Sequence, residues 1–279
     1  MFLATTSCRF MPNVIEQRHM KQNKKSPIKA KPLRHAGQSL DEEIDKLIHE
    51  EAMPYFFAGF IFVYLAGYEW WRYFKNPPPS PKTLSFFALL FVLYCAYKIN
   101  KILRKVKAIK LGREGERAVG QYLDCLREKG HRIFHDILGD NFNIDHVIIS
   151  KKGIFVVETK TYSKPEKGEA KIIFNGEELS IDGFGGQDKQ VFQVKAETKW
   201  LQNVLLETTG KKFSVQPVIL FPGWYVESTS KGKESGIWVL NPKALPTYIE
   251  NKPEILSQDD MMLASYHISR YIRSKEATR

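Results

Sequence analysis

Asp145, Glu158 and Lys160 have the types and spacing to hold a divalent cation beside a fixed positive charge. They lie in two β-rich runs that flank a Lys151-Lys152-Gly153 turn, which is a hairpin signal. With Lys151-Lys152 as the loop, Ser150 pairs with Gly153, Asp145 falls opposite Glu158, and Asn143 falls opposite Lys160. Period-two alternation then puts Asp145, Glu158 and Lys160 on one face with Val147, Ile149, Ile154 and Val156. Two carboxylates opposed across a ladder repel, so the sheet gains nothing from them. Mg²⁺ or Mn²⁺, which prefers carboxylate oxygens and keeps waters, gives both a reason to be there. Lys160 could orient or help deprotonate a water, or steady charge building on a phosphate. A register shift of one leaves the carboxylates diagonal neighbours, within reach of one ion. In the alternative, Glu158 and Lys160 are solvent-facing partners beside a structural Asp. Val147 and Val156 on the same face favour a partly buried site instead.

Upstream, Gly112-Arg113-Glu114-Gly115-Glu116 opens a helix. Glu116 shares a face with Val119, Gly120 and Leu123, so its carboxylate points to the core side. It reads either as a further metal or water-orienting group or as acid placed favourably in a first helical turn. His146 points to the face opposite Asp145 and reads as structural. Tyr162, at the end of a strand, suits base stacking or plain packing.

Gly112-x-x-Gly115-Glu116, then Ile144-Asp145-His146-Val147, then residues 153–160 resemble the NERD (nuclease-related) domain over about 111–206. That family is similar to the restriction-endonuclease-like superfamily with its Asp…Glu-x-Lys active site. The resemblance implies that Asp145, Glu158 and Lys160 match the catalytic triad and Glu116 the acid of the first helix, with Asp145, Glu158 and Glu116 toward the metal. It also implies a Gln in the helix after the active-site strands. Gln193 is the nearest match and Gln190 the next, and the usual Asn-Pro lead-in to that helix is missing here. The implied fold class is α/β, a mixed sheet flanked by helices.

These residues must be positioned by regular elements. The pattern predicts a helix over Glu114 to Lys129, stopped by Gly130. Strands follow over Arg132–Ile137, Ile144–Ser150, Ile154–Thr161 and Lys171–Phe174. A long helix from Gln187 to Leu206 comes next. Strands over Phe213–Phe221 and Ile237–Leu240 and a helix over Gln258–Arg273 complete the sheet and close the domain.

Ahead of residue 111 the chain has another character. Tyr55 to Trp71 and Leu84 to Ile99 are apolar runs near the short end of a bilayer span, separated by Asn76-Pro77-Pro78-Pro79-Ser80-Pro81. Neither shows the polar stripe of a globular helix, and the first ends in Tyr68, Trp70, Trp71 and Tyr73, an interfacial belt. They read as a two-helix transmembrane hairpin over 54–100. Before it lies a basic cytoplasmic tail over 1–53 (Lys21, Lys24, Lys25, Lys29, Lys31, Arg34), which includes a short acidic helical stretch from Asp41 to Glu51. After it comes a basic juxtamembrane linker over 101–110, then the nuclease-like domain over 111–279. Lys101, Arg104, Lys105, Lys107 and Lys110 place both ends on the cytoplasmic side of a cell (inner) membrane and attract anionic headgroups.

The net charge of +11 resembles a nucleic-acid footprint until it is located. Residues 1–110 hold 18 basic against 8 acidic side chains, and the rest hold 24 against 23. A nucleic-acid groove in the downstream domain must therefore come from local clustering. Cys8, Cys95 and Cys125 have no metal-ligand or disulfide spacing and read as reduced thiols. No Walker loop or zinc pattern is present. The leading expectation is a membrane-anchored, Mg²⁺-dependent nuclease acting on DNA. The rival is a non-catalytic module that binds nucleic acid or protein at the membrane.

Overall fold

The structure, a computed structural model, describes residues 32–75, 81–164, 170–181 and 185–277. The expectations for Cys8, for the lysines from Lys21 to Lys31 and for loop residues 76–80 lie outside the described residues.

The amino-terminal part is helical. Helix α1 (Gln38–Lys46) passes through a π-helical stretch (Leu47–Ala52) into α2 (Met53–Lys75), and α3 runs from Pro81 to Asp124. Helices α2 and α3 pack antiparallel. Tyr55 meets Tyr94 at 6.2 Å between ring centres, Phe62 meets Phe91 at 4.3 Å, and Trp70 Nε1 donates to Ser85 Oγ at 2.8 Å. Their outer faces expose large apolar side chains, among them Phe57, Phe60, Phe87 and Leu93. Of the expected pair, only the helix that starts at Pro81 is long and apolar enough among the described residues to cross a membrane. Helix α2 carries Glu69 and a run of tyrosines and tryptophans through its second half, which interrupt its apolar stretch.

Two sequence expectations change here. Residues 101–110 are not a separate linker, because α3 is continuous through them and carries Gly112 to Glu116 in the same rod. No proline interrupts that stretch, and Lys, Ile, Leu and Ala all favour helix. The segment from 32 to 53 is not a free tail either. Ile44 and Leu47 bury against Val106 of α3, while Asp41 accepts from Arg113 at 2.8 Å and pairs with Arg117. Arg34 is buried, its charge met by acids far away in sequence.

A main sheet of five strands follows, in the order β1 (Arg132–Leu138), β2 (Asn143–Ser150), β3 (Gly153–Thr159), β7 (Val215–Leu220) and β9 (Trp238–Leu240). The first three are antiparallel, and β7 and β9 join in parallel. A second sheet holds β6 (Gly185–Gln187), β5 (Leu179–Ile181), β4 (Lys171–Phe174) and β8 (Tyr225–Ser228), of which only β4 was expected. Strands of three or four residues leave too little period-two pattern to read. The remaining helices are α4 (Lys189–Thr209), α5 (Ser230–Glu234), α6 (Leu245–Glu250) and α7 (Gln258–Ala277).

Strand β3 is buried along its whole length, because both faces of the sheet are covered. Val147, Ile149, Ile154 and Val156 pack under α4 and α7, as Val191, Val194, Leu201, Ala264 and Ile268 belong to the same core. Ile148, Phe155 and Val157 face the other way and pack with Val119 and Leu123 of α3. The site therefore has α4 on one side of the sheet and the end of a long helix on the other.

Candidate active site

The β2–β3 hairpin has the expected register, Ser150 opposite Gly153 through His146 opposite Val157. The ladder stops there, one position short of Asp145 and Glu158. Instead, Asp145 Oδ2 accepts the Thr159 N–H at 2.7 Å, and β3 continues by pairing with β7 through Glu158 and Thr159. Lys160 N–H donates to Leu220 O at 2.9 Å, which fixes the backbone that carries the lysine. The strand end is thus held from β7 while the Asp145 carboxylate closes it from β2.

Glu158 is the centre of the cluster, only 2% exposed. Its Oε1 is bound by Lys160 Nζ and accepts from Gln193 Nε2 at 2.9 Å. Gln193 also donates to Glu197 Oε1 at 2.8 Å and accepts from Lys160 Nζ at 3.2 Å. Of the two glutamines considered, Gln193 is the one that enters the cluster, and Gln190 turns away to donate to Tyr162 Oη at 2.7 Å. Tyr162 in turn stacks on Phe221 at 6.1 Å, which makes it a packing residue.

Glu197 was missed by the sequence reading. It stands one helical turn beyond Gln193 on α4, so both side chains come off one face. That i, i+4 relation was the available signal, and it needed the correct glutamine first. Glu197 is 1% exposed, a burial that an acid does not accept without cause.

Glu116 reaches the cluster because α3 crosses very close to the end of β3. A Cβ on Gly115 would lie 1.7 Å from Thr161 Oγ1, and one on Gly120 would lie 2.6 Å from Ala36 Cβ. Only glycine lets the helix sit this near. The backbone of Gly37, from the segment ahead of α1, supplies Glu116 with a hydrogen bond.

The electrostatics are those of too many acids around one lysine. Burial, then Asp136 and Glu158, push the Glu116 carboxyl up to about 8, against Lys160 and the Gly37 hydrogen bond. Burial and Glu158 push Glu197 up to about 9. Asp145 is held well above the usual carboxylate range by burial, Glu158 and Glu116, with Lys160 and the Thr159 N–H opposing. Burial disfavours the Lys160 ammonium, but Glu158 and Asp145 outweigh it and hold the lysine firmly charged.

Two buried oxygens, Glu158 Oε2 and Glu197 Oε2, have no hydrogen-bond partner among the described residues. An ionised, unpaired buried carboxylate oxygen is costly; Glu197 relieves this by keeping a proton that it can share with Glu158, and a cation would relieve it in the proton's place. Among the described residues no three His, Cys, Asp or Glu side chains form a ready-made metal cage. Carboxylate oxygens such as those of Asp145 and Glu158 are the donor type that Mg²⁺ takes, one or two at a time beside several waters.

His146 lies on the opposite face, as expected, and packs against α3. Its Nδ1 is 2.9 Å from His135 Nδ1, and His135 Nε2 is 3.2 Å from Asp124 Oδ1. Burial and the neighbouring ring hold His146 well below the ordinary histidine range, so it stays neutral.

Residues 111–222 match the family described as the nuclease-related domain, NERD. A protein of Bacillus anthracis described as uncharacterized is 32% identical over 78 residues, which are 26% of this chain and 37% of that relative. The chain thus matches well under half the length of that curated relative. Among solved structures, SfsA of Pyrococcus furiosus in complex with Ca²⁺ is 16% identical over 44% of this chain and 52% of that one. Its TM-score of 0.25 is too low to carry an argument.

Proposed function

We propose that the chain is a Mg²⁺-dependent nuclease that hydrolyses DNA phosphodiester bonds from a membrane-anchored position. The match of residues 111–222 to a nuclease-related domain supports nucleic acid as the substrate class. The observation that carries the chemistry is the orphaned pair of buried carboxylate oxygens, Glu158 Oε2 and Glu197 Oε2, beside Asp145. When bound there, a divalent cation supplies charge stabilisation to the phosphoryl oxygens and makes water more acidic.

The chain's own residues divide the remaining work. Glu158 and Asp145 would hold the cation, with the bare Glu197 Oε2 as a further oxygen donor. Gln193 fixes Glu158 from α4, and Thr159 N–H fixes Asp145. Glu158 and Asp145 favour the charged Lys160 ammonium in the metal-free chain, which suits it to electrostatic work rather than to that of a base. It places a fixed positive charge against the phosphate as negative charge develops there. Glu116, pushed up to about 8 in the metal-free chain, is a candidate to exchange a proton with an attacking water near neutral pH.

For the anchor, the outward apolar faces of α2 and α3 are the support. Both helices then lie in the bilayer as a hairpin, with the chain on either side of it facing the cytoplasm of the cell (inner) membrane. Lys101, Arg104, Lys107 and Lys110 meet anionic headgroups. Because α3 is unbroken from Asn100 to Glu116, the site stands roughly 24 Å from the apolar half on a stiff rod.

The test is nicking of supercoiled DNA by the full chain in detergent with Mg²⁺, Mn²⁺ or EDTA, beside Asp145→Ala and Lys160→Ala. Cutting by wild type alone, and only with metal, is the expected result. Equal cutting by wild type and variants removes the site, and DNA or RNA binding without cutting favours the non-catalytic module. A reporter inserted between α2 and α3 is expected outside the cytoplasm, and a cytoplasmic signal overturns the hairpin.

A further inference from the structure

The domain downstream of residue 110 is almost neutral, yet its arginines are unevenly placed. Strand β1 is one edge of the main sheet, β9 being the other, and only its first residue, Arg132, is exposed. Between β1, the turn after α3 and helix α7 lies a groove of about 600 Å³. Arg127, Arg132, Arg270 and Arg273 line it, with no acidic side chain among the lining residues. Arg127 is engaged, donating to Asp124 Oδ1 and Ile133 O, each at 2.6 Å. Arg132, Arg270 and Arg273 are exposed and enter no ion pair among the described residues.

Helix α7 explains how the arginines converge. Met261, Ala264, Ile268 and Ile272 form its buried stripe. Tyr266, Arg270 and Arg273 recur at helical spacing on another face and turn toward the groove. Ser265 lines the same groove, and its Oγ is buried without a hydrogen-bond partner among the described residues. The Tyr266 ring is 62% exposed at the rim. A guard charge that keeps an edge strand from pairing accounts for Arg132. It does not account for two arginines on a helix.

We propose that this arginine-lined groove, at the Arg132 end of β1, is a docking site for a sugar-phosphate backbone of nucleic acid. The proposal rests on the nuclease reading and names where the substrate lies. Planar guanidinium forks bind phosphate in two-pronged fashion. Arg132 is paired with Ile149, and Ile137 with Ile144 beside Asp145. At ~3.3 Å per residue the groove therefore begins roughly 17 Å along the strand from the site, about five phosphates of a duplex strand. A concave groove suits a strand, whereas a membrane surface is met by a flat or convex face.

The experiment uses the full chain in nanodiscs of neutral lipid, with EDTA present. Anisotropy of fluorescent single-stranded and duplex 20-mers is followed across a potassium chloride series. Arg270→Ala/Arg273→Ala is expected to weaken binding at least tenfold and to reduce the slope of log K against log salt by about two. Arg270→Lys/Arg273→Lys, which keeps the charge, is expected to recover most of the slope. Unchanged affinity and slope in the alanine variant overturn the groove, as does a wild type that binds neither oligonucleotide. Loss of binding to phosphatidylserine vesicles with oligonucleotide binding intact overturns it in favour of a lipid surface. Wild type that binds through these arginines but cuts nothing with Mg²⁺ keeps the groove and removes the nuclease reading. Cutting by wild type with normal binding by the alanine variant does the reverse.

Discussion

Asp136 and Glu158 are both buried acids at the same end of the main sheet, each 2% exposed, and the chain treats them in opposite ways. Asp136 accepts from Arg34 Nε at 2.8 Å, from Ser39 N at 2.8 Å and from Ser39 Oγ at 2.6 Å. Arg34 is itself engaged by Glu42 at 3.1 Å and by Glu276 at the end of α7. That network holds Asp136 at a φ of 51°, a left-handed conformation that few residues adopt unaided. Glu158 has one oxygen saturated and the other bare, and three further carboxyl groups crowd it. The first cluster is complete without a ligand and serves the fold. The second leaves a buried oxygen of Glu158 without a partner, and the proposed cation would fill that place.

The comparison can be broken in order of effect. Lys160→Ala or Asp145→Ala is expected to slow DNA cleavage at least a thousandfold, about 4 kcal/mol of barrier, in a nicking assay. A loss below tenfold removes them from the chemistry. Arg34→Ala leaves Asp136 uncompensated and is expected to cost about 3 kcal/mol in urea unfolding. Losing no more than Lys275→Ala, which removes an exposed ion pair, erases the distinction between the clusters. Gly115→Ala drives a methyl into Thr161 and is expected to cost about 2 kcal/mol. It also lowers cleavage, because Glu116 moves away with α3, and wild-type activity in this variant detaches Glu116 from the site.

The smallest effect follows from the raised acids. A carboxyl with a folded value near 8 or 9, against an ordinary value of 4.5, binds its proton more tightly in the folded chain. Its contribution is fully present below pH 4.5 and is lost as the pH rises through 8 and 9. Metal-free protein is therefore expected to melt lower at pH 9 than at pH 5. Glu197→Gln should reduce that difference by a few degrees, read by circular dichroism in EDTA. An unchanged difference removes Glu197 from the crowded set.

Much of the site's geometry was legible because it is local. A hairpin with a two-residue loop fixes which side chains share a face, so Asp145, Glu158 and Lys160 could be brought together from spacing alone. Gly115 next to Glu116 carried its message in the sequence, although its partner Thr161 did not. Glu197 and the choice of Gln193 over Gln190 were hidden, since helix phase relative to a sheet is set by packing. The arginine groove was hidden for the same reason, as its residues come from the turn after α3, from β1 and from α7. The burial of Arg34 ran against composition, because a lysine-rich, proline-containing approach predicts a free tail. Its acid partners lie 102 and 242 residues away in Asp136 and Glu276.

The central claim, that the unsatisfied carboxylates form a cation site, is tested most directly by titrating Mg²⁺ into the metal-free full chain in detergent at pH 7.5. Isothermal calorimetry is run in two buffers of different ionisation enthalpy, for wild type and Asp145→Asn. Wild type is predicted to bind with release of about one proton or more, because the cation displaces protons that the crowded acids hold. Asp145→Asn is predicted to bind far more weakly. Absence of Mg²⁺ binding, binding without proton release, or equal binding by the variant contradicts the account.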